Sequence, residues 1–152
     1  MRLNARVDYA LRAVAELAAT EGGADRPVTA ERIATGQAIP PKFLESILLQ
    51  LRRAGIVVSQ RGPEGGYWLA RPAKEISLAD VIRAIDGPLA NVRGQRPENV
   101  DYHGAAAALQ EVWIALRASE RQILDLVTIA DVSTGRLPKR VRALAADPTA
   151  WI

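Results

Sequence analysis

The spacing of apolar side chains changes period several times along the chain, and each change marks an element. Val7, Leu11, Val14, Ala15, Leu17 and Ala18 recur at helical spacing, with Arg12 and Glu16 on the other face. Residues 5–20 therefore read as an amphipathic helix with Asn4 as its N-cap. The loop EGGADRP follows and closes at Pro27. Thr29 caps a second helix over Ala30–Thr35, with Glu31 in its first turn, where an acidic group meets the helix dipole. Gly36 is read as its stop. Pro40-Pro41 opens a third helix, since proline in the first turn removes an N–H that has no partner there. Phe43, Leu44, Ile47, Leu48 and Leu51 recur at three and four residues and give that helix one apolar face. Gly55 ends it. A short helix, a glycine-containing turn and a longer helix form a helix-turn-helix pattern.

The period then shortens. Ile56–Ser59 and Tyr67–Ala70 are short apolar runs on either side of Arg61, Gly62, Pro63, Glu64, Gly65 and Gly66. Strand, glycine–proline loop, strand predicts a hairpin. Pro72 breaks the chain, and Ser77 caps a short helix over Leu78–Ile85 that ends at Asp86-Gly87-Pro88. Residues 87–104 keep no sustained period and read as a linker. A long helix is expected from about Ala105 to Asp131, striped by Leu109, Val112, Trp113, Leu116, Ile123, Leu124, Leu126 and Val127. A last helix covers Leu137–Ala146.

These elements predict a mainly α protein with a small β-hairpin wing: a winged helix-turn-helix followed by a long C-terminal helix. Residues 1–86 form the winged domain, 87–104 the linker, and 105–152 the dimerisation helix and C-terminal helix. The apolar stripe of the long helix has few partners in a domain already packed around the first helix. It is expected to dock on a second copy of the chain through Leu109, Val112, Trp113, Leu116, Ile123 and Val127, or else to fold back on its own chain.

Charge sharpens this picture locally. Four arginines, Arg52, Arg53, Arg61 and Arg71, face the single carboxylate Glu64 over residues 52–71. A basic helix followed by a basic-tipped hairpin is the form in which a winged helix meets double-stranded DNA. The formal net charge of +3 permits a nucleic-acid partner without requiring one. Lys42, Glu45 and Ser46 lie in the first turns of the third helix, where side chains reach base edges: lysine donates to guanine or phosphate, and glutamate accepts from cytosine. Arg52 and Arg53 either touch the DNA backbone or offset the helix C-terminal dipole. Arg61 at the wing tip is a candidate for the minor groove. Gly62, Gly65 and Gly66 either let the backbone approach phosphates or simply permit a tight turn. The RLPKRVR run near the end is a phosphate-contacting face or a solvated helix surface. A winged module that docks another protein is the alternative class.

Composition removes other classes. The chain has no cysteine and one histidine, His103. Disulfides, thiolate metal sites and thiol catalysis are excluded, and a zinc site would need carboxylates for its remaining ligands. No metal, cofactor or catalytic residue is expected; no nucleophile–base pair appears, and GPEGG lacks the Lys-Ser/Thr of a phosphate-binding loop. The start MRLNARVDYALRAVAEL carries charges at Arg6, Asp8, Arg12 and Glu16 and does not read as a signal peptide. No apolar run reaches the roughly eighteen residues of a membrane span, so a cytoplasmic, membrane-free protein is expected.

The segments MRL, YALRAVAELA, IPPKFLESILLQLRRAGIV, SQRGPEGGYWLARP and EISLADVIRAIDGPLA together resemble the Rrf-two family of bacterial regulators, which includes the IscR, NsrR and CymR types. The likeness is dense from Met1 to about Ala90 and weaker over LQEVWIALR. It implies a winged-helix homodimer on a promoter palindrome, a reading helix led by Lys42-Phe43-Leu44-Glu45, and a minor-groove role for Arg61. Many members sense iron, nitric oxide or redox state through an iron–sulfur cluster whose cysteines fall where this chain reads ANVRGQRPENVDYHGA. Without those cysteines the cluster does not carry over, and Asp8, which matches an acidic ligand of some members, is read as a relic or a polar contact. A cluster-free member is implied, answering to a small-molecule or protein effector or acting constitutively. Tyr102 and Trp113 would line a ligand pocket or belong to the core.

Overall fold

The computed structural model describes residues 1–152. Seven α-helices and one hairpin follow in order: α1 (Ala5–Thr20), α2 (Ala30–Gln37), α3 (Pro41–Arg53), β1 (Val57–Gln60), β2 (Gly66–Leu69), α4 (Leu78–Asp86), α5 (Leu109–Leu124), α6 (Ile129–Thr134) and α7 (Lys139–Ala146). The mainly helical class with one wing is the one the apolar spacing predicts.

Helix α1 is the hub. It packs against α2, α3, α4, α6 and β2. The Asn4 side chain accepts from the Val7 N–H at its start. Along its inner face Val7, Ala10, Ala13, Val14 and Leu17 are buried. Leu44, Ile47, Leu48 and Leu51 of α3 join the same core, with Ile33, Ile56, Val57 and Ile76. A smaller cluster of Val7, Ala79, Ile82 and Leu89 seats α4 and the start of the segment that follows it.

Several element ends shift by one or two residues, and two differences from the expectation change the packing. Helix α2 runs through Gly36 to Gln37, and the left-handed residue that ends it is Ala38, at φ 51°. Gly36 is instead a packing position: a Cβ there would lie 2.8 Å from a carboxylate oxygen of Glu16. The second difference is larger. The expected helix over 105–131 is two helices with a break. Residues 104–106 form a 3₁₀ turn, α5 starts at Leu109 and ends at Leu124, and the chain turns before α6. Thr128 restarts it with a capping box, its side chain accepting from the Asp131 N–H while the Asp131 carboxylate accepts from the Thr128 N–H.

That restart returns the chain to the winged-helix core. The Leu78 N–H donates to the Val127 carbonyl at 3.0 Å, and the Ile129 N–H donates to the Ile76 carbonyl at 2.9 Å. Ser77 forms its own capping box with Asp80, so two helix N-termini stand paired across one bridge, Ser77 opposite Thr128. Ile129 is fully buried in the main core. Val127 is 2% exposed and so is no surface for a second copy. Its place in the expected interface is therefore corrected: it lies beyond the end of α5, on the inner side of the turn.

Residues 87–104 lie along the protein. Leu89, Pro97 and Val100 are buried. The Gln110 amide of α5 donates to the carbonyls of Pro97, Glu98 and Val100. The Trp113 indole donates to the Tyr102 hydroxyl at 3.0 Å, so these aromatics latch the segment to α5.

Ile129→Ala removes a buried side chain from this shared core and is expected to lower stability by about 2–5 kcal/mol. Urea denaturation followed by far-ultraviolet circular dichroism checks it. A single destabilised transition is expected; an unchanged main transition would mean that α6 is not part of the winged-helix core.

Candidate nucleic-acid interface

Helix α3 has two faces because its sequence has two periods of use. Leu44, Ile47, Leu48 and Leu51 are consumed by the core. The residues between them, Lys42, Glu45, Ser46, Leu49 and Arg52, share the outward side and line a cleft of about 770 Å³. The opposite wall is the wing: Ser59, Gln60, Arg61, Gly62, Pro63, Gly65 and Gly66. The cleft carries the cations Lys42, Arg52 and Arg61 against the one carboxylate Glu45.

Each wall is braced. The Arg52 guanidinium donates to the Ser59 hydroxyl at 3.2 Å and ties the helix to the wing. Arg6 of α1 donates to the Ser46 hydroxyl at 3.0 Å and also to the Gln50 side chain, which fixes α3 against α1. Arg12 lies over the Tyr9 ring, 4.8 Å from its centre, and Tyr9 meets Phe43 with ring centres 6.0 Å apart. The Asp8 carboxylate pairs with Arg12 at 2.8 Å, so Asp8 is a polar contact within α1. No sequence pattern singled out Arg6. Its only signal is a place in the first turn of a helix that proves to lie against α3.

The wing is shaped by close backbone approach. Val57 pairs with Leu69 and Gln60 with Gly66 in antiparallel register. Val28, just before α2, exchanges both backbone hydrogen bonds with Tyr67 at 2.9 and 2.7 Å, adding a third rung beside β2. The Gly65 N–H donates to the Gly62 carbonyl and closes the turn. A Cβ on Gly65 would lie 2.1 Å from the Gln60 carbonyl oxygen, and one on Gly66 would lie 2.5 Å from the Val28 carbonyl oxygen. Gly62 has open space but sits at φ 106°, a conformation L-residues rarely adopt. The turn alone therefore accounts for all three glycines. The Arg61 side chain is exposed and makes no hydrogen bond or ion pair within the chain. Lys42 and Glu45 are likewise exposed.

The remaining basic residues divide. Arg53 is exposed at the end of α3 and does not line the cleft. In the RLPKRVR run, Arg142 donates to the carbonyls of Gly135 and Leu137, and Arg140 to the Gln122 side chain. Those two arginines hold α7 to its neighbours. His103 is an exposed loop residue.

The Rrf2 family profile, described as an iron-dependent transcriptional regulator, matches residues 3–135. The chain belongs to this family. A Mycobacterium tuberculosis protein named as an HTH-type transcriptional regulator is 50% identical over 147 residues, covering 97% of this chain and 90% of the relative. CymR of Bacillus subtilis is 31% identical over 134 residues, 88% of this chain and 91% of CymR. Its structure, that of the global cysteine regulator, aligns at a TM-score of 0.72 over 90% of this chain and 99% of that one, with 29% identity. T. potens IscR aligns at 0.68 over all of this chain and 97% of that one, with 28% identity. This member of the Rrf2 family is thus a DNA-binding transcriptional regulator and not an enzyme, and its fold is the winged helix of CymR and IscR. No helix is long and apolar enough to cross a membrane.

The iron dependence in the family's description meets a donor set that does not fit it. The chain supplies no thiolate, and no three His, Asp or Glu side chains lie together as a metal site. Glu98 and Asp125 are each engaged by arginines. Iron–sulfur clusters need soft anionic ligands to balance iron charge.

Because the wing depends on backbone contact, Gly65→Ala is expected to open it, whereas Gly62→Ala strains one dihedral pair at about 1–3 kcal/mol. Hydrogen exchange at the amides of residues 60–67 checks this. Gly65→Ala should accelerate exchange across both strands, and Gly62→Ala should act at the turn only.

Proposed function

We propose that the chain represses transcription as a homodimer in the cytoplasm, each copy reading one half of a palindromic promoter site. The observation that carries this is the shared cleft, in which the outward face of α3 and the wing tip present cations from two elements to one groove. In this reading Lys42, Glu45 and Ser46 meet base edges in the major groove. Arg61 enters the neighbouring minor groove, where narrow A·T tracts concentrate negative potential. Arg52 and Arg53, with the backbone at Gly62, Gly65 and Gly66, lie along phosphates. Ser46 reads through a hydroxyl already oriented by Arg6, which restricts its geometry. Residues 1–86 carry the reading surface, 87–104 the linker, and α5 the dimer contact, while α6 belongs to the winged-helix core.

Surface area supports the dimer. A compact monomer of this mass exposes about 7,500 Å²; this chain exposes 9658 Å². The excess of about 2,000 Å² is of the order that a stable protein interface buries. Helix α5 has no buried residue and carries exposed apolar side chains. Leu109, Val112 and Leu116 are exposed on it, Trp113 and Ile123 half-buried.

Two residues of the cleft are expected to behave differently. The DNA to use is a duplex recovered by purifying the protein with sheared fragments of its own genome, beside a scrambled duplex. Arg61→Ala should weaken binding and lower the salt slope by about one unit, since one fewer counterion is released. Glu45→Ala removes a selective acceptor and a repulsive element. Non-specific affinity should hold or rise while discrimination narrows by about 1–3 kcal/mol at one base pair. Titrations at several salt concentrations decide both. An unchanged slope for Arg61→Ala removes the wing from the interface, and an equal loss on both duplexes for Glu45→Ala makes that residue structural.

Val112→Asp with Leu116→Asp places two charges on the exposed face of α5 and should dissociate the dimer without unfolding the chain. Sedimentation at micromolar concentration measures it; a wild-type monomer there refutes the dimer. The separated copies should also lose DNA affinity, because two linked half-sites gain from effective concentration.

A further inference from the structure

Away from the reading cleft, a second cleft of about 540 Å³ opens where the end of α4, the segment after it and α5 meet. Its charged wall is four arginines and one carboxylate: Arg83 from α4, Arg96 and Glu98 from the segment, and Arg117 and Arg121 from α5. Two carboxylates serve these four guanidiniums. Glu98 accepts from Arg117 at 2.6 Å and faces Arg96 at 3.9 Å. Asp125 pairs with Arg83 at 3.0 Å and with Arg121 at 2.8 Å. Arg83 also lies 3.9 Å from Asp80, which has its own partner in Arg71 at 3.6 Å.

Both carboxylates are held ionised. Burial opposes charge on Asp125, but hydrogen bonds from Arg121 and Arg83 outweigh it and keep its carboxyl below the usual range. Glu98 is lowered by its own backbone N–H and then by Arg117. Four cations against two anions leave two positive charges unmatched around one concavity. A network whose role was only to staple α4 to α5 would gain nothing from that surplus, since exposed ion pairs contribute about 0–1 kcal/mol each and like charges repel. Each guanidinium carries five N–H donors in a planar fork suited to paired oxygens, and the contacts named above leave most of them unfilled. Arg117, with 24% of its side chain exposed, is fixed in the wall, whereas Arg96, with 63%, is free to close on a ligand.

We propose that this cleft binds one small polyanion per chain, a molecule with two or more negative charges on phosphoryl or carboxylate oxygens. Its size falls within the range of small-ligand sites. Its donors come from three segments that converge on one point, which suits a compact ligand better than an extended phosphate backbone. The ligand would touch α4 and α5 together, and so join the winged domain to the exposed α5 face. The proposal stands apart from the reading of DNA, because its test is binding to the protein alone.

The test is isothermal titration of the full-length chain with inorganic pyrophosphate, citrate and acetate at fixed ionic strength. Saturable binding of one equivalent of pyrophosphate identifies a phosphoryl ligand, and that of citrate a polycarboxylate; acetate should show none. Arg96→Gln with Arg121→Gln should weaken the bound anion at least tenfold, with circular dichroism unchanged. Arg96→Lys with Arg121→Lys keeps the charge but loses the planar fork, and should weaken it less than the glutamine pair. Arg61→Gln, in the other cleft, should leave the affinity unaltered. No saturation by either polyanion up to about 10 mM overturns the proposal. So does equal affinity in the glutamine variant, or a loss in Arg61→Gln that places the anion in the reading cleft.

Discussion

The packing of α1 against α3 is the constraint on which the rest of the structure depends. Ala10 and Ala13 are fully buried on α1, and residues that small let a second helix approach closely. The four inward residues of α3 are fully or almost fully buried in the same core. Once that face is committed, the azimuth of α3 is set, and Lys42, Glu45, Ser46, Leu49 and Arg52 have only the outward side left. Helix periodicity thus converts a hydrophobic requirement into the orientation of a polar surface. Arg6 adds a directional brace at the same seam, because its guanidinium reaches two side chains of α3 one turn apart.

The wing is placed by a different force. Two short strands alone are marginal in water. Here the pair is extended by Val28 through two backbone hydrogen bonds and anchored by Ile56 and Val57 in the core. Close contact between main chains leaves no room for a Cβ at residues 65 and 66. The glycines are therefore explained before any ligand is considered, and the surface argument rests on Arg61, which the fold does not need.

How far the sequence could be read follows from these forces. Strong local periods gave α1, α3 and the hairpin, and the outward residues of α3 followed from them. The 105–131 stretch misled because a continuous apolar pattern does not show which side of a chain turns inward. Leu116 and Val127 look alike in a stripe, yet one is on the surface and the other is 2% exposed. The local signal for the break was present in Thr128-Ile129-Ala130-Asp131, a Ser/Thr cap with an acidic residue three places on. What no local rule gives is the bridge between Ser77 and Thr128, a pairing across fifty residues that makes α6 part of the winged core. Gly36 misled in the same way: its smallness answers Glu16 of another helix.

Residues 87–104 are held to the protein by many weak contacts and no single strong bond. The Gln110 amide is shared among three carbonyls, the Trp113–Tyr102 pair adds a partly buried hydrogen bond, and Glu98 is clamped by Arg117. Buried Leu89, Pro97 and Val100 add apolar contact. Individually such contacts contribute about 1 kcal/mol or less, so the segment is held by their number and not by one bond. A tether of that kind holds α5 beside α4. Its stiffness is open to adjustment by charge, since Arg96 on the tether, Arg83 on α4 and Arg117 on α5 line one cleft that holds more arginines than carboxylates.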